Sequence, residues 1–258
     1  MTMVGQRTTV CVVVCWFLYL VCVDTEKVVP YVYTYKVTPS FRDTLYRCRL
    51  NVLPLWVPNV FSCATHCQRV GGCTLFCLKG QVCTVYSAQI TTFWPGLSDI
   101  HQFDKCFSTW HDPHDLSHFV TDIAASSVFT SIDGLRSPSL AIDGYYCYVS
   151  SQCFTSKIGT SHWLRLDLGA PRSVTSIKVQ TRRDEYITPT FSNVEVRVGN
   201  ASDHTKNPVF DRLLGFAHRG QLVIFQGTSV ATGQFIQFAS RTIYPDVFTI
   251  CSLQIIGY

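Results

Sequence analysis

Trp163-Leu164-Arg165-Leu166-Asp167-Leu168-Gly169 is the stretch that decides the fold. Leucine occupies every second position, and tryptophan, arginine and aspartate stand between, so one face of the stretch is apolar and the other polar. This alternation is typical of a half-buried β-strand. Residues 177–181 and 194–200 alternate in the same way. Strands of this kind pair into antiparallel sheets, and the sequence therefore predicts a mainly β chain built around an antiparallel β-sandwich.

The amino-acid composition indicates a folded protein and excludes several classes of function. The 258 residues are 47% hydrophobic and only 15% charged, a balance that excludes general disorder. Thirteen cysteines indicate an oxidising compartment rather than the cytosol. The net charge of +4 is spread without a run of lysine and arginine, so nucleic acid is not an expected partner. No Gly-x-Ser-x-Gly or His-Glu-x-x-His motif occurs, and we expect no enzymatic activity.

The N-terminus shows the pattern of a secretory signal. Arg7 precedes an apolar run over residues 10–23, which is shorter than the roughly 20 residues of a membrane-spanning helix. The sequence predicts a signal peptide over residues 1–23 and a secreted, extracellular protein, and an uncleaved signal anchor is the alternative. Cleavage removes Cys11, Cys15 and Cys22 and leaves ten of the 13 cysteines.

Seven of these ten cysteines are clustered in residues 48–106. Cys63 and Cys67 are four residues apart, which places both on one face of a helix. Ser62 is a candidate N-cap, and the Gly71-Gly72 pair is a good terminator. The sequence therefore predicts a short helix that carries two cysteines on the same side.

Two short strand-like runs follow this helix. They cover residues 73–77 and 81–86, and Lys79-Gly80 is the expected turn between them. The sequence predicts a helix that lies across a hairpin and is fixed to it by cysteines. Zinc binding by the same cysteines is the alternative, but a helical Cys-x-x-x-Cys in a secreted chain favours disulfides.

This arrangement resembles the PAN or apple module over about residues 40–110, since the strands read Cys-x-x-Phe and Cys-x-x-Tyr after a helix with paired cysteines. The resemblance implies a small disulfide-rich α+β domain, assigned to residues 24–110. It also implies three disulfides and leaves Cys77 over. The implied pairs are Cys48 with Cys106, Cys63 with Cys83, and Cys67 with Cys73.

Residues 111–118 are predicted to be a linker, because Pro113 interrupts any helix there. The histidines of this stretch leave metal binding or a response to pH as an alternative. The second domain is then predicted to cover residues 119–258.

The C-terminal motifs occur in a fixed order: residues 141–144, 163–169, 192–200 and 233–238, and last Cys251. This order resembles the discoidin-like, coagulation factor V/VIII C-type domain, and within it the fucolectin branch, over roughly residues 115–258. The resemblance implies an antiparallel jelly-roll β-sandwich and a disulfide between Cys153 and Cys251. Cys147 is then unpaired within its domain, so we expect either a Cys77–Cys147 bridge between the domains or an intermolecular bond.

Fucolectins hold a sugar with a histidine, an Arg-x-Asp motif and a second basic residue. By this resemblance Arg182-Arg183-Asp184 supplies the Arg-x-Asp motif, whereas Thr155 replaces the histidine. Pro189 or Thr190 replaces the second base. Cationic donors reach sugar oxygens, so the resemblance implies that Arg182, with Arg183 and Thr155 beside it, contacts the ligand. Asp184 is expected to orient Arg182.

Aromatic residues in the neighbouring loops offer a second kind of contact. Such side chains stack on sugar rings or dip into a membrane, and the alternative is that they pack on one another over the disulfide. The residues concerned are Tyr145, Tyr146, Tyr148 and Phe154.

The calcium loop of the family is altered here. Residues 140–145 lack several of its oxygen ligands, and Ser252 stands where the family has an acidic residue. A calcium ion needs roughly six to eight such ligands, so no cofactor is expected and Asp143 is a weak metal candidate. Asn200-Ala201-Ser202 is an N-glycosylation acceptor at a strand end.

Together these features predict a secreted recognition protein that is not an enzyme. The sandwich is expected to bind an extracellular glycan or glycoprotein, and the PAN-like module to bind a protein partner. The alternative is a discoidin-type adhesion protein that binds phospholipid at a membrane surface or the extracellular matrix.

Overall fold

The computed structural model describes residues 9–13, 20–24, 35–37, 48–50, 55–70, 72–90, 105–108, 110, 112, 114–132, 134–147, 150–184, 190–203 and 205–258. They belong to two compact units, Met1–Val32 and Tyr33–Tyr258. In the first unit, β1 (Thr9–Val13) and β2 (Leu20–Asp24) form an antiparallel pair that overlaps the predicted signal peptide. Within the described ranges, no helix is long and apolar enough to cross a bilayer.

The second unit is mainly β. Its elements, in chain order, are β3 (Tyr35–Val37), β4 (Leu55–Trp56), α1 (Val60–Arg69), β5 (Leu75–Lys79), β6 (Val82–Tyr86), β7 (Gln89–Ile90), β8 (Lys105–Ser108), a 3-10 helix (Ser117–Phe119), β9 (Asp122–Ala125), β10 (Thr130–Ser131), β11 (Gly134–Leu135), a 3-10 helix (Pro138–Ala141), β12 (Tyr145–Tyr146), a 3-10 helix (Ser150–Gln152), β13 (Phe154–Thr155), β14 (Gly159–Gln180), β15 (Ser192–Gly199), β16 (Val209–Phe216), β17 (Leu222–Phe225), β18 (Ala231–Asp246), β19 (Thr249–Ile250) and β20 (Ser252–Gly257).

The long strand β14 takes part in both layers of the sandwich. Its N-terminal half pairs with β18 and β9, and that layer continues from β18 through β15 to β16. Its C-terminal half pairs with β17 and β20. Between the halves the register shifts near Gly169, whose φ of 73° lies in the region that favours glycine. Two strands expected from the sequence are therefore one strand that crosses from layer to layer.

The core between the layers follows the predicted alternation. Leu164, Leu166 and Leu168 are at most 2% exposed, whereas Trp163 and Arg165 are half-buried on the opposite face. Burial of one such leucine contributes about 1.5–3 kcal/mol. The C-terminal half of β14 and the strands β15 and β18 complete this core with further apolar residues: Ile177, Val179, Val194, Val196, Val198, Ile236 and Phe238. The predicted antiparallel sandwich is confirmed.

The N-terminal cystine-rich region (residues 35–110) contains α1, the short strand β7 and a five-stranded sheet of order β3-β8-β5-β6-β4. The helix begins after Asn59, whose Oδ1 accepts a hydrogen bond from the N–H of Ser62 at 3.0 Å. Asn59 is therefore the N-cap, and the prediction of Ser62 is wrong by three residues, because the asparagine side chain already reaches the first turn. β5 and β6 form the predicted hairpin and turn at Gly80, with a φ of 56°.

Two disulfides fix α1 within this region. Cys63 pairs with Cys83 on β6, and Cys67 pairs with Cys73. A third disulfide, Cys153–Cys251, closes the sandwich over a separation of 98 residues. These are the three pairs that the two resemblances imply for these cysteines.

The remaining pairing differs from the prediction. Cys77 is bonded to Cys106, and Cys48 is bonded to Cys147, so the implied Cys48–Cys106 pair, the Cys77–Cys147 bridge and the intermolecular bond are wrong. The reason is the sheet register: Cys77 on β5 lies opposite Cys106 on β8, with Cα atoms 4.1 Å apart. Cys48 is then available to Cys147.

The N-terminal cystine-rich region and the sandwich are also joined by hydrogen bonds. β7 pairs with β12 in antiparallel fashion, with Ile90 opposite Tyr145. The side-chain amide of Gln89 donates to Oε1 of Gln180 at 2.7 Å, and both residues are buried. A strand pair, a buried amide contact and a disulfide therefore connect the two regions.

Part of the predicted linker packs on the sandwich. Asp115 is buried and forms an isolated bridge with Ile256. Leu116 belongs to the sandwich core and donates its N–H to the carbonyl oxygen of Ile255 at 2.6 Å. Pro113 lies outside the described residues. These contacts place residues 115–116 in the sandwich.

Candidate functional site

The predicted ligand loop starts where β14 ends. Thr181 donates its hydroxyl to the carbonyl oxygen of His218 at 2.7 Å, and Gly220 donates its N–H to the carbonyl oxygen of Arg182 at 2.8 Å. Gly220 has a φ of 62°, and a Cβ at this position would lie 2.8 Å from Cγ of Arg183. The turn before β17 therefore holds the ligand loop in place and needs glycine at the closest approach.

Asp184 fixes the guanidinium of Arg182. Nη2 of Arg182 donates to Oδ2 of Asp184 at 2.7 Å, and Nε donates to Oδ1. The two side chains are 17% and 24% exposed, so the ion pair is reached from solvent while most of each side chain is covered. A bidentate pair holds the planar guanidinium in one orientation. This geometry agrees with the orienting role expected of Asp184.

Arg183 points to the N-terminal cystine-rich region. Its Nη1 donates to the carbonyl oxygen of Ser87 at 3.1 Å, and its N–H donates to the hydroxyl of Tyr146 at 3.2 Å. Its guanidinium carbon lies 6.0 Å from the centre of the Tyr146 ring. Burial raises the pKa of Tyr146 to about 12, although the charge of Arg183 opposes this. The Arg183 side chain therefore joins the two regions, and its contact with a ligand stays a prediction.

Phe154 and Thr155 lie inside the sandwich. Both belong to β13, which pairs with β19, and both are buried. The Thr155 hydroxyl is hydrogen-bonded to that of Thr249 at 3.3 Å, and the ring of Phe154 meets Phe248 edge-on. The predicted ligand contacts of Phe154 and Thr155 are wrong, because pairing with β19 turns both side chains inward.

Tyr146 is also removed from solvent. It is fully buried and packs with Cys153 and Cys251, which is the alternative weighed for the loop aromatics. The Tyr145 backbone pairs with β7, and its side chain, like Tyr148, lies outside the described residues. Of the two hypotheses for these aromatics, burial of Tyr146 and Phe154 agrees with packing and not with an exposed platform.

The other candidate residues lie at the surface. Asp143 is half-buried next to Gly144, whose φ is 74°. Across the ranges that the structure describes, no group of three or more His, Cys, Asp or Glu side chains is arranged to hold a metal ion. Asn200 is exposed just after β15, and its Oδ1 accepts a hydrogen bond from the N–H of Gln234 at 3.1 Å. Metal binding at Asp143 and glycosylation of Asn200 stay predictions.

Sequence reasoning missed a pocket on the outer face of the sandwich. It has a volume of about 450 Å³, and its lining includes Arg197 from β15, Arg212 from β16 and Arg241 from β18. Alternating charges along β15 indicate an exposed face, but they do not reveal which strands share it. The pocket follows only from the sheet order.

Comparison with known proteins supports the fold of the sandwich. Residues 132–231 match the family model described as the NedA-like, galactose-binding domain of the F5/F8 type C group. None of the curated proteins matches the chain. The family match and the order of the strands agree with a discoidin-type sandwich. The resemblance of the N-terminal cystine-rich region to a PAN or apple module stays a prediction.

Several solved structures are similar to the chain. An f-lectin (fucolectin) from the serum of the striped bass, Morone saxatilis, shows 23% identity over 56% of this chain and 49% of that chain, with a TM-score of 0.48. The chain thus spans about half the length of that lectin. The lectin domain of Lectinolysin in complex with Lewis B antigen shows 15% identity, coverage of 57% and 99%, and a TM-score of 0.45. A fucose binding module of Streptococcus pneumoniae shows 15% identity, coverage of 56% and 95%, and a TM-score of 0.45.

Proposed function

We propose that this is a secreted, non-enzymatic recognition protein whose sandwich binds a glycan at the loop after β14. The observation that carries the proposal is the Arg182–Asp184 pair, a partly exposed guanidinium held in one direction by a bidentate carboxylate. The match of residues 132–231 to a galactose-binding domain family supports the same ligand class.

The chemistry of the loop fits a sugar. A guanidinium donates several N–H groups in a fixed fork, and sugar hydroxyl and ring oxygens accept such bonds. Because Asp184 already orders the Arg182 side chain, less conformational entropy is lost when a ligand binds. Arg183 is hydrogen-bonded to Ser87, and Thr155 and Phe154 are buried, so we expect Arg182 to supply the main contact with the sugar. We therefore expect weak binding of a single sugar, increased when several copies are displayed together.

A glycan array with the full chain tests this proposal. Arg182→Ala should lower binding of the recognised glycan by about tenfold, the value of one charged hydrogen bond. Arg69→Ala, which removes an exposed arginine at the end of α1 and changes the net charge equally, should bind as the wild type does. Binding should survive a chelator, because residues 140–145 lack several of the oxygen ligands that calcium needs. Absence of glycan binding by the wild type contradicts the function, and unchanged binding by Arg182→Ala contradicts the site.

Exposed apolar residues favour the alternative function, a phospholipid-binding adhesion protein. Ile243 and Tyr244 are 89% and 80% exposed near the end of β18, and Ile158 is exposed next to Gly159, which pairs with Asp246. Side chains of this kind insert at a membrane interface. Flotation with phosphatidylserine vesicles distinguishes the two functions: flotation that Ile243→Ser abolishes would favour the membrane, and no flotation would exclude it.

A further inference from the structure

The outer face of the sandwich carries a second surface suited to a ligand, apart from the loop of Arg182. The pocket of about 450 Å³ lies where β15, β16 and β18 run side by side. Glu195 on β15 is opposite Arg212 on β16, and Arg241 on β18 is opposite Ser161 on β14. Four antiparallel strands therefore bring distant residues to one cavity, whose volume lies in the range of about 300–1,000 Å³ usual for small-ligand sites.

The pocket lining is positively charged. The lining contains three arginines, Arg197, Arg212 and Arg241, and one carboxylate, that of Glu195, which leaves a net charge of +2. Burial raises the pKa of Glu195, but hydrogen bonds from Arg212 and Arg197 outweigh this effect, and its pKa is below the ordinary value. Glu195 is therefore ionised at neutral pH and satisfies only part of the arginine charge.

The three pocket arginines differ in their exposure and in how far protein groups already occupy their guanidinium N–H groups. Nε of Arg197 donates to Oε1 of Glu195 at 2.6 Å, and its Nη1 donates to the carbonyl oxygen of Thr205 at 3.3 Å. Nη2 of Arg212 lies 2.7 Å from Oε2 of Glu195, and the side chain is 55% exposed. Arg241 is exposed, and among the residues that the structure describes it has no ion-pair partner. Arg197 thus anchors the pocket, while Arg212 and Arg241 face outward.

The rim of the pocket is held in an uncommon conformation. Asn193 has a φ of 47°, and its Oδ1 accepts a hydrogen bond from the N–H of Gly215 at 3.0 Å. Asparagine is one of the few residues besides glycine that adopt a left-handed backbone, and the bond to Gly215 holds the side chain of Asn193 in place. Leu214, the residue before Gly215, is 84% exposed beside the charged lining.

The neutral and apolar residues of the pocket lining indicate which class of anion would fit the pocket. Ser161, Asn193 and Thr205 supply neutral hydroxyl and amide groups, which pair with hydroxyls of a ligand. Leu214 offers an apolar surface to the C–H face of a ring. Arginine forks match the geometry of sulfate and carboxylate oxygens. A bare inorganic anion would use only the arginines and would leave these other groups without a role.

We infer that this pocket binds an acidic saccharide, whose sulfate or carboxylate group is held by Arg241 and Arg212 while a sugar ring lies against Leu214. The inference does not depend on glycan binding at Arg182, because none of the lining residues belongs to that loop. A chain with both sites would recognise the hydroxyl groups of a glycan at Arg182 and its negatively charged group at the pocket.

Isothermal titration calorimetry of the full chain tests this inference with three probes. They are a sulfated heparin-type disaccharide, the same disaccharide without sulfate but with its uronate, and sodium sulfate. The sulfated disaccharide should bind the wild type, and Arg241→Ala should weaken this binding about tenfold, because one charged contact is lost. Arg241 lacks an ion-pair partner among the described residues, so its removal should leave the fold intact, which the thermal unfolding midpoint checks.

The controls separate this pocket from general charge and from the other site. Arg69→Ala and Arg182→Ala should bind the sulfated disaccharide as the wild type does. Equal binding of both disaccharides would identify the carboxylate as the recognised group and support the inference. Unchanged binding by Arg241→Ala, equal weakening by Arg69→Ala, or sodium sulfate binding as tightly as the disaccharide would each overturn it.

Discussion

Cys48 and Cys147 form a disulfide across 99 residues, and this bond joins the N-terminal cystine-rich region to the sandwich. Both cysteines are fully buried, beside Cys77 and Cys106 in the same cluster. The covalent link passes next to the β7–β12 strand pair, so the two regions are held together at one place by two independent means.

Removal of this bond should cost more stability than removal of a short one. In the chain-entropy model, a closed loop of this length contributes about 5 kcal/mol and one of the Cys67–Cys73 length about 2 kcal/mol. The separations are 99 and 6 residues. Urea unfolding of Cys48→Ser with Cys147→Ser, compared with Cys67→Ser with Cys73→Ser, measures the difference. The opposite order, or a non-reducing peptide map that recovers Cys48 bonded to Cys106, would contradict the assignment.

Gly220→Ala should destabilise the chain more than Gly215→Ala. Both glycines have positive φ, 62° and 83°, and alanine there costs about 1–2 kcal/mol. Nothing lies within 4 Å of a Cβ at Gly215, whereas one at Gly220 meets the Arg183 stem at 2.8 Å. Displacement of Arg183 also costs its bond to Ser87, roughly 1 kcal/mol. Equal unfolding free energies for the two variants would show that the contact with Arg183 does not matter.

Asp115 should make stability decrease as pH rises. Burial raises the pKa of Asp115, and hydrogen bonds from Ser117 and Gln254 offset only part of this. The folded chain therefore binds its proton more tightly than the unfolded chain, and the resulting stability is lost as pH rises above about 4, the ordinary aspartate value. The melting temperature of Asp115→Asn, relative to the wild type, should increase between about pH 3 and pH 7.

Asp112→Asn is the matched control for this titration. Burial raises the pKa of Asp112, but hydrogen bonds from His114 and Lys178 more than offset it, and the pKa is lowered. The carboxylate therefore stabilises the fold above its ordinary pKa, and this contribution is lost as pH falls. Asp112→Asn should lose melting temperature relative to the wild type over the same rise in pH. A common direction for both variants would contradict the assigned environments.

Asn200 should carry a glycan when the chain passes through a eukaryotic secretory pathway. It belongs to the single Asn-x-Ser/Thr sequence of the chain and is exposed. Intact mass before and after glycosidase treatment detects the glycan. Ser202→Ala should remove it while Asn200 still accepts from Gln234. Secreted protein without a glycan would show that the site is unused, and retention inside the cell would contradict the predicted signal.

Local patterns account for what could be predicted from the sequence. The burial of Leu164, Leu166 and Leu168 follows from an alternation visible in seven residues, and a two-residue spacing lets Asp184 reach Arg182. Cysteine pairing was harder, because the choice between Cys48 and Cys77 for Cys106 depends on which strands are neighbours. The number of residues between two cysteines does not show which strands are neighbours in the sheet.

The same limit explains the errors in the candidate site. Aromatic residues in loops have no periodic mark, so nothing in the sequence separated a buried Tyr146 or Phe154 from an exposed one. Arg183 follows Arg182 directly, yet the two side chains have different partners, Ser87 and Asp184. The pocket arginines belong to three strands and meet only after the sheet has formed.

The pairing of β7 with β12 also bears on how the sandwich behaves by itself. In the full chain, the backbone groups of Tyr145 and Tyr146 are matched by Gln89 and Ile90. A sandwich produced without the N-terminal cystine-rich region would expose this edge together with the thiol of Cys147. Open strand edges and exposed thiols both promote aggregation, so we expect the isolated sandwich to aggregate more readily than the full chain.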